Sequence, residues 1–143
     1  MRKLIYLFFS ILVCAACELH TSENGDLDGY WQLRSVDTLS SGNSCDMRDS
    51  MIFWSFEVNL MHMRDNKSDH EKVFMRFDLL RDTMMLYKPI IDMRDSSDII
   101  LTDFTILHHY GIHDVPETFK IETLNRSTMI LKNKVLRLNF RKY

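Results

Sequence analysis

The run HHYGIHD holds His108, His109 and His113, the only histidine cluster in this chain of 143 residues. His109 and His113 are four positions apart, which on a helix puts both imidazoles on one face, and Asp114 offers a third ligand. Gly111 lies between the two histidines, and the HExxH glutamate is absent, so the run reads as a solvated loop and no metal is expected. The carboxylate pairs Asp46/Asp49 and Asp92/Asp95 each flank an arginine and read as salt-bridged turns rather than acid–base pairs. There is no nucleophile elbow, phosphate loop or nucleotide fingerprint. These residues therefore predict no catalytic centre and no cofactor, and the chain is not read as an enzyme.

The cysteines say more through position than through number. There are three, too few for a disulfide scaffold. Cys45 lies in the polar stretch SSGNSCDMRDS with no histidine beside it, and reads as an inert thiol or one open to intermolecular pairing. Cys17 closes the opening MRKLIYLFFSILVCAAC, where Arg2 and Lys3 precede an apolar run over residues 4–13 and Ala15-Ala16 precede the cysteine. That is the layout of a secretory signal. As a helix the run spans only about 15 Å, half the roughly 30 Å of a bilayer core, which argues against a permanent membrane span. A cysteine directly after Ala-Ala resembles a bacterial lipobox, with Cys14 standing where that pattern usually has Leu, Val or Ile. The resemblance implies cleavage before Cys17 and acylation of its thiol and new amine. Residues 1–16 are then a lipoprotein signal peptide, and residues 17–28 a lipidated, acidic and flexible tether. The expected location is the bacterial cell envelope, lipid-anchored in the outer membrane.

Bulk composition excludes other classes. With 18 Lys+Arg against 20 Asp+Glu, the net charge of −2 gives no reason to expect nucleic acid. Removing residues 1–16 leaves 16 basic against 20 acidic residues, a net −4. At 45% hydrophobic and 27% charged the chain is globular, and 4 Gly with 2 Pro exclude collagen-like or Pro-rich architecture.

Beyond the tether, alternation with period two predominates, as in antiparallel sheet. Val73, Met75, Phe77 and Leu79 share one face, as do Leu136, Leu138 and Phe140, and Phe119 with Ile121. Residues 51–63 read as one long strand with Trp54, Phe56, Val58 and Leu60 on its apolar face. Residues 29–36 put Trp31 and Leu33 inward, and residues 83–88 and 127–131 add short apolar strands. Asn, Asp and Ser at residues 80–83, 125–127 and 133–134 mark tight turns, so the last three strands form a meander. Residues 98–111 fit neither period. They read as a short helix or helical loop that plugs or crosses the barrel, with Gly111 as a C-cap. The fold class expected for residues 29–143 is all-β, an antiparallel barrel or curled meander of about seven or eight strands.

The opening DLDGYWQLRSVDT, with Gly29 and Trp31 in a Gly-x-Trp pattern, resembles the first strand of lipocalin-like proteins. The C-terminal stretches LNRSTMILKN and VLRLNFRKY are similar to the closing hairpin of small lipocalin-like lipoproteins from Bacteroides-type bacteria. The resemblance implies that Trp31 closes one barrel end beneath a basic residue of the last strand, Arg137 or Arg141, in cation–π contact.

Ten methionines are a high count for this length, and Met61, Met63, Met84 and Met85 could line a pliable apolar cavity or simply fill a core. The same two readings apply to Trp31, Phe53, Trp54, Phe56, Phe74 and Phe77. The function expected is a lipid-anchored binding module that holds a small apolar ligand or docks on an envelope protein, with the membrane reached through Cys17. An enzyme or inhibitor acting through surface loops is the alternative.

Overall fold

The alternating segments pair into one antiparallel sheet that closes on itself in the computed structural model, which describes residues 22–67, 70–93 and 97–143. Its strands are β1 (Gly29–Thr38), β2 (Ser44–Asp46), β3 (Ile52–Glu57), β4 (Leu60–Asp65), β5 (Val73–Leu80), β6 (Thr83–Ile91), β7 (Ile99–Ile100), β8 (Glu117–Leu124), β9 (Thr128–Lys132) and β10 (Leu136–Lys142). Among the described residues one short α-helix, α1 (Thr105–His108), interrupts them. Around the barrel the order is β1-β3-β4-β5-β6-β8-β9-β10, and β10 returns to β1. The closing seam runs from Trp31 opposite Lys142 to Thr38 opposite Leu136, with a bulge between Leu33 and Ser35. Eight strands thus form a closed up-and-down barrel, which leaves no open edge in the ring itself. The short β2 and β7 flank it on β1 and β6.

The predicted inward faces hold over most of their length. Val73, Met75, Phe77, Leu136, Leu138, Phe140, Phe119, Trp31 and Leu33 are all buried. Each such side chain contributes about 1.5–3 kcal/mol by leaving water. Ile121 is half-buried and packs against this core, and Leu79 is exposed near the end of β5. The turns also form where Asn was placed. Asn125 Oδ1 accepts from the backbone N–H groups of Ser127 and Thr128, and Asn133 Oδ1 from those of Val135 and Leu136.

Residues 51–63 correct the sequence reading. They are two strands joined by a two-residue turn at Val58-Asn59, with Glu57 opposite Leu60. Val58 takes φ 56°, and it and Leu60 are exposed rather than inward. The turn is held from outside its own sequence: Asn24 Nδ2 donates to the Val58 carbonyl at 2.8 Å, and Val58 N–H donates to Ser22 Oγ at 3.1 Å. A β-branched residue at positive φ gives no local turn signal, so the apolar run concealed the reversal.

The barrel has two unlike ends. One holds the start of β1, the β3–β4 turn and the end of β10. There Gly25–Leu27 forms a 3-10 turn whose Leu27 is fully buried, so packing begins before β1. The other holds the end of β4 and the starts of β5, β8 and β10. The segment after β7, residues 101–112 with α1 in it, crosses this second end and buries Leu101, Leu107, Tyr110 and Ile112 in the core, as a plug. Gly111 stops the helix at φ 88°, donating to the His108 carbonyl while Ile112 N–H donates to that of Leu107. That pair of bonds is a Schellman motif.

Candidate functional site

At the entry end, the one that holds the start of β1, Gly29 and Trp31 form one unit with Lys142 at the end of β10. Trp31 is fully buried, and its Nε1–H donates to the Leu27 carbonyl at 2.7 Å. The basic residue over its ring is Lys142, with Nζ 4.9 Å from the ring centroid and donating to the Asp26 carbonyl at 2.8 Å. This corrects the expectation of Arg137 or Arg141. Arg137 instead pairs with Glu122, Nε to Oε2 at 2.7 Å, and that hydrogen bond and charge hold Glu122 below its ordinary range. Arg141 lies opposite Gln32. Gly29 sits at φ 107°, and a Cβ there would stand 3.2 Å from Lys142 Cε, so the glycine makes room for the lysine stem that covers Trp31.

The interior is lined by large side chains. Met61, Met63 and Met84 are buried in the core, whereas Met85 is 38% exposed on the outer face. Of the aromatic set, Trp31, Trp54, Phe56 and Phe77 belong to the core cluster. Phe53 packs outside it, edge-on to Tyr143, and Phe74 stacks on His62. Trp54 is ringed by Phe56, Phe119 and Phe140, and its buried Nε1–H has no hydrogen-bond acceptor among the described residues.

At the plugged end a cleft of about 600 Å³ opens between the loop that precedes β8 and the β9–β10 turn. Val135, Leu136 and Pro116 give it apolar walls, while Glu117, His113 and Lys134 bring polar groups. Glu117 is buried, with 6% of its surface accessible, and among the described residues its Oε2 accepts long bonds from the backbone N–H groups of Asp114 and His113, at 3.3 and 3.4 Å. A buried carboxylate satisfied so loosely can take a further donor. Sequence reasoning passed over Glu117, because a Glu beside Pro116 looks like an ordinary loop residue.

The histidines are not grouped as their spacing suggested. His113 stacks on His108, while His109 turns to Asp65, with Nε2 to Oδ2 at 2.7 Å, and stacks on His70. Asp114 reaches Glu117 through its backbone and is not a partner of His109 in this arrangement. Asp46 pairs with Arg48 as a salt-bridged turn, which holds its carboxyl at about 2, and Asp92 lies 3.7 Å from His62. Cys45 is exposed on β2. Cys17 and Asp95 lie outside the described residues.

A closed eight-stranded antiparallel barrel, one end crossed by a short helical plug and the other closed by a Gly-x-Trp strand under Lys142 of the last strand, defines a lipocalin-type protein, an architecture suited to binding. The chain belongs to the family described as lipocalin-like domain, whose model matches residues 11–143. Among solved structures it is similar to a lipocalin-like protein from Bacteroides uniformis ATCC 8492, at 23% identity and TM-score 0.64 over 83% of this chain and 100% of that one. It is also similar to an uncharacterized protein from Bacteroides eggerthii DSM 20697, at 21% identity and TM-score 0.56 over 82% of this chain and 99% of that one. At these identities both likenesses concern the fold. No curated protein matches the chain.

Proposed function

We propose that this protein is a non-enzymatic, lipid-anchored binding module of the bacterial outer membrane. Cys17 carries the acyl chains, and the polar segment after it leads to the entry end of the barrel. The cleft lies at the opposite end and so faces away from the membrane. Its ligand is small, with an apolar body against Val135 and Leu136 and a donor group for Glu117. The observation that carries this reading is the loosely satisfied, buried Glu117 in a cleft of about 600 Å³, within the range of about 300–1,000 Å³ usual for small-molecule sites. A second reading, docking on an envelope protein, draws support from Ile99 and Ile100, which stand 45% and 73% exposed on the short flanking strand β7.

Two measurements test the proposal. Titration with N-phenyl-1-naphthylamine, an apolar fluorophore with one N–H, is expected to saturate, and both Glu117→Ala and Val135→Asp to weaken it. No saturable binding, or binding indifferent to both substitutions, overturns the cleft as the site. For the anchor, Cys17→Ser is expected to abolish labelling by a fatty-acid probe and release the protein from the membrane fraction. Retained labelling and retention in the membrane overturn it.

A further inference from the structure

We propose that Asp65, His70 and His109 form a binding site for a divalent transition-metal ion of the zinc class at the plugged end of the barrel. The three come from separate places: Asp65 ends β4, His70 precedes β5, and His109 follows α1. One ligand atom from each lies within 4.8 Å of the others. His109 Nε2 is 2.7 Å and His70 Nδ1 3.5 Å from the same Asp65 Oδ2. Bonds of about 2.0–2.2 Å to a tetrahedral ion put ligand atoms about 3.3 Å apart, and these two separations bracket that value. Two imidazole nitrogens with one carboxylate oxygen suit Zn²⁺ or its neighbours in the first transition row, and not the all-oxygen shells of Mg²⁺ or Ca²⁺.

The surroundings fit the same use. The Asp65 side chain is 3% exposed, and its other oxygen, Oδ1, accepts the Lys67 N–H at 2.7 Å, which fixes the carboxylate from behind as second-sphere bonds do. The His70 side chain is 49% exposed, so the site opens to solvent and leaves positions for water or an added ligand. His70 and His109 stack at 3.7 Å between centroids with planes only 9° apart. Parallel rings do not converge on one ion, so His70, the exposed member, is the one that has to turn. The site is separate from the Glu117 cleft, whose lining includes none of these three residues.

The test is calorimetric titration of the full chain, purified in detergent, with Zn²⁺ alone, paired with the visible spectrum of Co²⁺. The expected result is one saturable equivalent and the d–d bands of four- or five-coordinate Co²⁺. His70→Ala, at an exposed position, is expected to weaken binding by about tenfold or more while the circular dichroism spectrum stays unchanged. Asp65→Asn should weaken it too, and His113→Ala should leave it alone. Absence of saturable binding overturns the site and leaves a plain His–Asp hydrogen-bonded cluster. Binding undiminished in His70→Ala also overturns it, including the case in which Cys45→Ser proves to be the variant that loses the metal.

Discussion

Trp31 and Trp54 stand directly opposite one another on β1 and β3, both fully buried, yet among the described residues only Trp31 has an acceptor for its indole N–H. Substituting phenylalanine therefore separates two effects that burial alone would make equal. Trp31→Phe removes the bond to the Leu27 carbonyl as well as volume, for an expected cost of about 2–3 kcal/mol. Trp54→Phe removes volume and an unsatisfied donor, and is expected to cost about 1 kcal/mol less. Urea unfolding midpoints of the two variants check this. Equal shifts would mean that the Trp31–Leu27 bond adds nothing.

The residue that covers Trp31 can be identified in the same way. Lys142→Met keeps an apolar stem over the ring but loses the cation and the bond to the Asp26 carbonyl. The expected loss is about 1–2 kcal/mol. Arg137→Met breaks only a partly exposed pair with Glu122 and is expected to cost less than Lys142→Met, because solvent screens such a pair. Thermal melts of both variants decide the order, and the reverse order would return the capping role to Arg137.

Why the lysine and not an arginine was illegible in the sequence is a matter of register. Alternation along 136–141 correctly turned Leu136, Leu138 and Phe140 inward, because a half-buried strand must show period two. Which residue of β10 meets Trp31 depends on where the seam closes, and the bulge between Leu33 and Ser35 shifts that count by one. The β3–β4 turn was hidden for a similar reason, since its partners, Ser22 and Asn24, lie far away in sequence. Local spacing could pair His109 with His113, but only the fold brings Asp65, at the end of β4, to His109. Within 98–111 the plug was legible from residue 101 onward, because its apolar residues fit neither period and end on a glycine, whereas Ile99–Ile100 pairs with β6 as a short exposed strand instead of a helical turn.

Gly111 should prove the more demanding of two positive-φ glycines. At Gly111 the backbone holds φ 88°, and an added Cβ would stand 3.1 Å from Leu138 Cδ2 in the core, whereas at Gly42 φ is 70° and nothing lies within 4 Å. Gly42→Ala is expected to cost about 1 kcal/mol, the penalty of a left-handed backbone alone. Gly111→Ala adds the displacement of a packed Leu138 and is expected to reach about 2–3 kcal/mol. Equal denaturant midpoints for the two variants would show that the plug shifts without resistance.

Tyr110 gives the plug a pH dependence with a definite sign. Its hydroxyl donates to the Glu71 carbonyl at 2.7 Å. Burial, followed by the negative charges of Asp65 and Glu71, pushes the phenol up to about 12 from its ordinary 10.0. A raised folded value means that the native state holds the proton more tightly than the unfolded chain does. The stabilisation is therefore complete below pH 10 and is lost as the pH rises through 12. A shift of that size corresponds to about 2–3 kcal/mol across the window. Tyr110→Phe cannot ionise and is expected to unfold with a flatter profile between pH 10 and 12, although it starts lower by about 1 kcal/mol for the lost hydrogen bond. Urea midpoints measured at intervals from pH 9 to 12 for both proteins check the slope. Parallel profiles would place the alkaline sensitivity in another group and mean that the Tyr110 hydroxyl is not held neutral by the plug.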